Sequence, residues 1–501
     1  MFKYFKTGVF LSLFLLSSCA KEDDIYLSNT VEPDPDAGVQ VQDFMWKAMN
    51  FWYFWQADVE NLADNRFPNT PEGSKAYTEF LASEDDPGKF FENKLQFSED
   101  RFSFYSDDYV ELTQSLSGIS KSNGMEFGLV RIPDSDDVFG YVRYIIANSD
   151  ASKKDIERGA IFTGVNGQTL FSDRKDDNNN NFDLLFGKND TYTLNMATIV
   201  EGIPQPNGKE ISLTKQAGLQ ENPIFLDETI ETNGKKIGYL VYNGFTNEFD
   251  EQLNDVFGRF KSGGVTDLVL DLRYNPGGSV NTARLLSSMI YGTNIKDVFL
   301  KARYNDKYQK ILEDKKTDVQ DYFADKTGKG TPINTLKLSK VYVLTTQGSA
   351  SASELVINGL EPYLDVVQIG EKTRGKNEFS VTMVDDRENN YIYDPKRVGK
   401  IRSDNRWAIQ PLLGRNENAD GFSDYTAGLE PDIPLKEDLS NLGIFGDLNE
   451  PLLAKAIQEI TGTVSAKMDF SVALPMETIT SSKMHTPLGD NMYVTDLPII
   501  R

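Results

Sequence analysis

The chain has 501 residues, 39% hydrophobic and 11% aromatic, with a formal net charge of −24. That much apolar material supports packed cores and excludes a chiefly disordered chain, and the length predicts about three domains. So acidic a chain repels nucleic acid and anionic lipid, which sets aside DNA, RNA and electrostatic membrane docking. Cysteine and histidine occur once each, as Cys19 and His485. One cysteine excludes an intramolecular disulfide and a thiolate zinc site. One histidine, in the C-terminal tail, leaves a Ser-His-Asp, Cys-His or multi-histidine metal site without its base or its ligands. No spaced carboxylate cluster such as an EF-hand loop stands out, so no metal and no cofactor is expected.

The N-terminus carries Lys3 and Lys6, then the apolar run Val9–Leu16, then the small residues of Leu16-Ser17-Ser18-Cys19. The run is too short to span a bilayer, and the order is that of a secretory signal. The last four residues resemble a bacterial lipobox, which makes residues 1–18 a lipoprotein signal peptide and Cys19 the lipidated residue. The alternative is an ordinary signal cut near Ala20. Lys21-Glu22-Asp23-Asp24 resembles the surface-export signal of Bacteroidetes lipoproteins, with a solvated linker as the other reading. The expected location is the outer membrane, on its periplasmic or cell-surface side. Residues 19–40, with Pro33 and Pro35, read as a tether.

Residues 41–112 read as a helical domain. Phe44, Met45, Ala48, Met49, Trp52 and Trp55 recur near three- and four-residue spacing and form one apolar face, read as packing. Further helices are predicted over Ser74–Ser83 and Pro87–Leu95. Residues 113–220 turn β-rich. Phe139–Ile146 reads as a strand, Ser152–Glu157 as a polar helical stretch, and Asn166-Gly167 between apolar runs as a hairpin turn. Asp173–Asp183, with four asparagines, reads as an exposed loop. Over residues 221–462 strands alternate with helices. Ile237–Tyr242, Leu268–Leu272, Val341–Thr345 and Val366–Ile369 are strands. Glu248–Phe260, Val280–Tyr291, Ser353–Leu364 and residues 449–461 are helices. The alternation implies a sheet covered by helices. The expected class is therefore an α/β multidomain protein. Residues 463–501 are a C-terminal extension with strand-like pieces.

Two segments carry chemistry. Asp271-Leu272-Arg273-Tyr274-Asn275-Pro276-Gly277-Gly278 joins a buried strand to a helix, and its glycines let backbone N–H groups approach a substrate oxygen, as an oxyanion hole requires. Gly348-Ser349-Ala350-Ser351-Ala352-Ser353-Glu354-Leu355 is a second strand-to-helix turn, with serines at the positive end of a helix. Simple N-capping explains such serines equally well. A reactive serine needs a base, and lysine is the natural candidate in a chain without a core histidine. Lys376, just after a strand, can serve when desolvated or set beside cations, and Arg374 is placed to depress its pKa.

These segments resemble the carboxyl-terminal processing (tail-specific) serine peptidases, a family with a PDZ domain inserted before a crotonase-like catalytic core. The likeness covers about residues 100–440. The family motif Gly-Ser/Thr-Ala-Ser-Ala-Ser-Glu implies Ser351 as the nucleophile. The motif Gly-Glu-x-Thr-x-Gly-Lys implies Lys376 as its base, 25 residues later. The oxyanion donors carry over to the backbone of Ala352 and of Gly277 or Gly278. Gly428-Leu429-Glu430-Pro431-Asp432 and Asp100-Arg101-Phe102-Ser103 resemble the segments that close and open the core. Arg158–Leu170 resembles PDZ text, with Ala160 in place of an aspartate. By the same likeness Gly124, Met125, Phe127 and Gly128 form a carboxylate-binding loop for peptide ends, a PDZ-like domain then spanning residues 113–220. The family glutamine four residues after the lysine is Ser380 here, so Ser380 and Glu378 are the candidates to orient Lys376. The resemblance implies a serine endopeptidase acting on polypeptides, anchored in the membrane through Cys19. The alternative is a catalytically weak peptide-binding surface lipoprotein of the same fold.

Overall fold

The computed structural model describes residues 38–463, except 293, and residues 477–498, except 488 and 496. The signal peptide, Cys19 and nearly all of the tether lie outside the described residues. No helix among the described residues is long and apolar enough to cross a membrane.

The helix Gln40–Trp52 buries Phe44, Met45, Ala48, Met49 and Trp52, the stripe expected from its spacing. Helix Pro71–Leu81 starts with proline at its first turn and the Thr70 side chain accepting the Gly73 N–H. The third stretch divides into an α-turn, Pro87–Phe90, and a π-helical turn, Phe91–Leu95. The next segment is extended: Phe104–Ser106 pairs antiparallel with Ala408–Gln410 of the core. One continuous apolar cluster runs from Val39 through Leu270 and Leu355 to Met492. The N-terminal helices therefore pack as part of the α/β unit and not around a core of their own.

That unit is built on a six-stranded sheet. Its order is Ile224–Thr232, Lys235–Tyr242, Asp267–Asp271, Lys340–Thr345, Asp365–Gly370 and Ile433–Pro434. All neighbours after the first pair are parallel. Each central strand is apolar on both faces, as helix-covered parallel sheets require. Leu268, Leu270, Val341 and Val343 face the helices Asp250–Gly263, Val280–Ile290 and Ala352–Leu360. Val269, Tyr342 and Leu344 face the helix Pro451–Thr461 on the other side. A second six-stranded sheet runs Gly278–Ser279, Met492–Tyr493, Glu378–Ser380, Leu412–Glu417, Val298–Tyr304, Gln320–Tyr322.

A β-rich module with its own apolar core sits beside this unit. Its strands are ordered Ile203–Thr214, Thr191–Val200, Ile161–Val165, Val138–Ile145, Met125–Arg131, and the edge is completed by Glu477–Ser481 from the C-terminal extension. Asn166 and Gly167 turn the hairpin with φ of 52° and 76°, the two positive values a tight hairpin turn needs. The polar stretch expected as a helix is only a single 3-10 turn, Ala151–Lys153, because a short segment without an apolar face does not hold helical structure. The asparagine-rich loop is exposed but folds into the small hairpin Ser172–Asp173/Asp176–Asn180.

Arg273 ties the layers together from below the first glycine turn. Its buried guanidinium donates to Asp271 at 2.9 Å, to both oxygens of Glu450 at 2.7 and 3.0 Å, and to Glu437 at 3.1 Å. From the β-rich module, Arg158 reaches the same Glu437 at 3.0 Å and the Tyr274 hydroxyl at 2.8 Å. Arg273→Ala leaves buried carboxylates uncompensated, and we expect a loss of about 3–5 kcal/mol in chemical unfolding.

Candidate active site

The two motif turns leave adjacent parallel strands, Asp267–Asp271 and Lys340–Thr345, at the ends where open α/β sheets hold ligands. Asn275 fastens one turn to the other. Its carbonyl accepts the Ala350 N–H at 3.1 Å and the Ser353 hydroxyl at 3.0 Å, while its side-chain amide donates to the Tyr242 carbonyl at 2.8 Å. Ser351 stands at the head of helix Ala352–Leu360 with φ 66° and ψ −114°, a conformation costing a non-glycine residue of order 1–3 kcal/mol. Its hydroxyl is buried and makes no hydrogen bond of normal geometry, although its position completes a capping box with Glu354.

Glu354, one turn into the helix, holds the site together. Its buried carboxylate accepts four hydrogen bonds. Oε2 takes the Ser351 N–H at 2.7 Å and the Lys376 N–H at 2.9 Å. Oε1 takes the Gly375 N–H at 2.7 Å and the Thr373 hydroxyl at 2.6 Å. One oxygen thus spans the backbones of the serine turn and the lysine loop. Burial pushes the Glu354 carboxyl up to about 7, against the pull of these donors.

The Lys376 side chain is buried as well, and its Nζ lies 4.8 Å from the centre of the Phe102 ring. Burial pulls its ammonium down to about 8, although Asp490, Glu378, Asp100 and Glu354 draw it the other way. A neutral amine is therefore accessible near neutral pH. Arg101 clasps the loop from outside, donating to the Gly375 carbonyl at 2.6 Å and the Thr426 carbonyl at 3.1 Å.

Gly277 has φ 114°, and a Cβ on it would stand 2.6 Å from Ser351 Cβ. Only glycine lets this turn touch the serine. Its N–H is already donated to Asn275 Oδ1 at 2.9 Å. Ala352 opens the helix, where N–H groups lack intrahelical partners. Gly278 is paired in turn with Met492 of the C-terminal extension, so the expected oxyanion donors remain Ala352 and the Gly277-Gly278 turn.

The model of peptidase family S41 matches residues 236–433, and that of the peptidase S41 N-terminal domain matches residues 40–104. The chain belongs to peptidase family S41. A crystal structure of an assigned S41 protease from Bacteroides fragilis shares 26% identity and a TM-score of 0.62, covering 87% of this chain and 100% of that one. A protein named as a CtpA-like serine protease in Staphylococcus aureus is 27% identical over 194 residues, which is 37% of this chain and 35% of that relative. A carboxyl-terminal-processing protease of Picosynechococcus is 28% identical over 162 residues, covering 31% and 32%. The match thus spans about a third of the length of these curated relatives.

Within this S41 chain, two expectations about the lysine need correcting. Neither Ser380 nor Glu378 hydrogen-bonds to Nζ. Glu378 turns to Arg415 at 3.1 Å, and the Ser380 hydroxyl donates to Asn491 Oδ1 at 2.9 Å. The partner of Nζ is the Asp490 carbonyl at 2.5 Å, from the extension to which the sequence assigned no role. Nor does Arg374 depress the lysine: it is half-exposed and paired with Asp490 at 3.0 Å, and burial does the work. Glu354 was visible only as one letter of the serine motif; its place three residues after a helix-leading serine is the signal for a carboxylate reaching back to the cap. The proposed peptide loop begins the strand Met125–Arg131, with Gly124 at φ 83°. Met125 and Phe127 point into the module's core, while Gly128 lies under the Tyr141 ring. His485 stacks on Phe186 in that module at 3.6 Å, away from Ser351.

Gly277→Ala must push Ser351 out of place. We expect at least a hundredfold slower acylation of Ser351 by a fluorophosphonate reporter, on the order of the loss of an oxyanion donor, in a protein that still unfolds cooperatively.

Proposed function

We propose that this protein is a serine endopeptidase in which Ser351 is the nucleophile and Lys376 its base. The observation that carries the reading is the pairing of a buried, unpartnered serine hydroxyl on a strained turn with a buried lysine, their backbones bridged by a single oxygen of Glu354. Neutral Lys376 takes the Ser351 proton as Oγ attacks the peptide carbonyl. The donors to the oxyanion that develops are the backbone N–H groups of Ala352 and of the Gly277-Gly278 turn, each worth about 2.7–4 kcal/mol of barrier by the usual cost of removing such a donor. The protonated lysine returns its proton to the leaving amine. Water, deprotonated by the same amine, then releases the acyl group.

Substrates in this reading are polypeptides. The PDZ-like module would receive their C-terminal ends by strand addition along Met125–Arg131, with Gly124 at the mouth. Export as a lipoprotein anchored through Cys19 to the outer membrane belongs to the same proposal. It predicts metabolic labelling by a fatty acid that Cys19→Ser abolishes.

The direct test is hydrolysis of an unfolded model protein by the soluble form lacking residues 1–19. Ser351→Ala and Lys376→Ala should each lower turnover by at least about a thousandfold, as for the loss of a nucleophile or its base. Full hydrolysis by Ser351→Ala refutes the assignment. An unreactive Ser351 in the parent supports a peptide-binding protein of the same fold instead.

A further inference from the structure

The C-terminal segment 477–494 visits both places that a substrate would have to occupy. Glu477–Ser481 lies antiparallel on Met125–Arg131, with Thr478 opposite Val130 and Ser481 opposite Gly128. That edge is the one a peptide end would use for strand addition. The Phe127 N–H donates to the Ser482 hydroxyl oxygen at 2.9 Å, and Lys483 pairs with Glu221 at 2.6 Å. The chain then crosses to the catalytic cleft. The Asp490 carbonyl accepts from Lys376 Nζ, and the Asp490 carboxylate pairs with Arg374. The Asn491 carbonyl oxygen lies against the same face of Gly277 as the Ser351 hydroxyl. Met492–Tyr493 forms a strand between Gly278–Ser279 and Glu378–Ser380, parallel to both, and the Val494 N–H donates to the Ser380 carbonyl at 3.0 Å.

The consequence is steric. Ser351 is 0% exposed and Lys376 1%. A polypeptide presenting a carbonyl to Ser351 and Gly278 has to run where residues 490–494 now run. We propose that this segment is a built-in occupant of the substrate path, holding the peptide groove and the catalytic cleft in a substrate-like strand until a polypeptide displaces it. The proposal rests on the Ser351–Lys376 reading and gives that site its selectivity. A tethered segment competes at an effective concentration of roughly millimolar. Short peptides that fill only the cleft are therefore excluded, whereas an extended polypeptide that engages both the groove and the cleft gains on both contacts.

The test uses the soluble chain through residue 501. Tyr493→Pro breaks the short strand against Gly278–Ser279, and Val494→Pro removes the N–H that bonds Ser380. Each should raise the rate of Ser351 acylation by a fluorophosphonate reporter at least about tenfold. A synthetic peptide of residues 477–498, added at millimolar concentration, should slow the variants back toward the parent. Folded variants that react at the parent's rate, or that ignore the peptide, overturn the proposal. Hydrogen exchange keeps it decidable should the variants fold poorly. In the otherwise intact Ser351→Ala chain, added unfolded casein should strip protection from the amides of 478–481 and 492–494. Unchanged protection at every casein concentration overturns it. Failure of the underlying peptidase reading shows differently: no form is acylated at any pH, while the exchange measurement, made without a nucleophile, still decides the fate of the segment.

Discussion

The site depends on one buried carboxylate. Glu354 accepts the N–H groups of Ser351, Gly375 and Lys376 and the hydroxyl of Thr373. Together with the Arg374 N–H donated to the Ser349 carbonyl at 3.0 Å, those bonds fix the distance between the serine turn and the lysine loop, which come from different strand ends. The same bonds stabilise a serine with φ 66°, since an N–H held at 2.7 Å by a charged acceptor offsets much of the backbone strain.

The second requirement is a lysine that can lose its proton. The structure meets it by exclusion of water and not by a neighbouring cation. Phe102 covers the ammonium, and Arg101 pins the loop behind it. The N-terminal region contributes here directly. Tyr53 donates to Asp100 at 2.6 Å, and Asp100 accepts the N–H groups of Phe102 and Ser103, so the helix Gln40–Trp52 and the lysine's aromatic wall are one packed unit. The buried charges around Arg273 do the corresponding work on the opposite side of the oxyanion turn, joining it to the β-rich module through Arg158 and Glu437.

Most of the architecture was legible in the sequence for physical reasons. The strands around Leu270 and Val343 are apolar on both faces and bounded by turns, and the helices between them bury a continuous stripe. Asn166-Gly167 named its own turn. The serine and lysine motifs marked two segments that the structure brings together through Glu354. What the sequence hid depends on partners distant along the chain. Glu477–Ser481 and Met492–Tyr493 are strands of five and two residues, too short to show a period and defined only by the edges they complete. That Gly277 spends its N–H on Asn275, and that Ser380 faces Asn491 rather than Lys376, follow from side-chain directions that no spacing encodes. The N-terminal helices read as a domain because their apolar stripe is plain; that they share the core of the α/β unit is a property of what the stripe meets.

The central claim is that Lys376 removes the Ser351 proton, and the pH dependence of Ser351 acylation tests it most directly. Lysine is a base only when neutral, so the rate should be low in acid and rise with pH through an apparent pKa near 8, where burial places Lys376. Ionisation of Glu354 near 7 acts in the same direction, so the comparison that isolates the lysine is Lys376→Arg, whose guanidinium stays protonated throughout. The account predicts a rising profile for the parent and a low, flat one for Lys376→Arg. A parent profile without that rise, or an arginine variant that follows the parent, would contradict it.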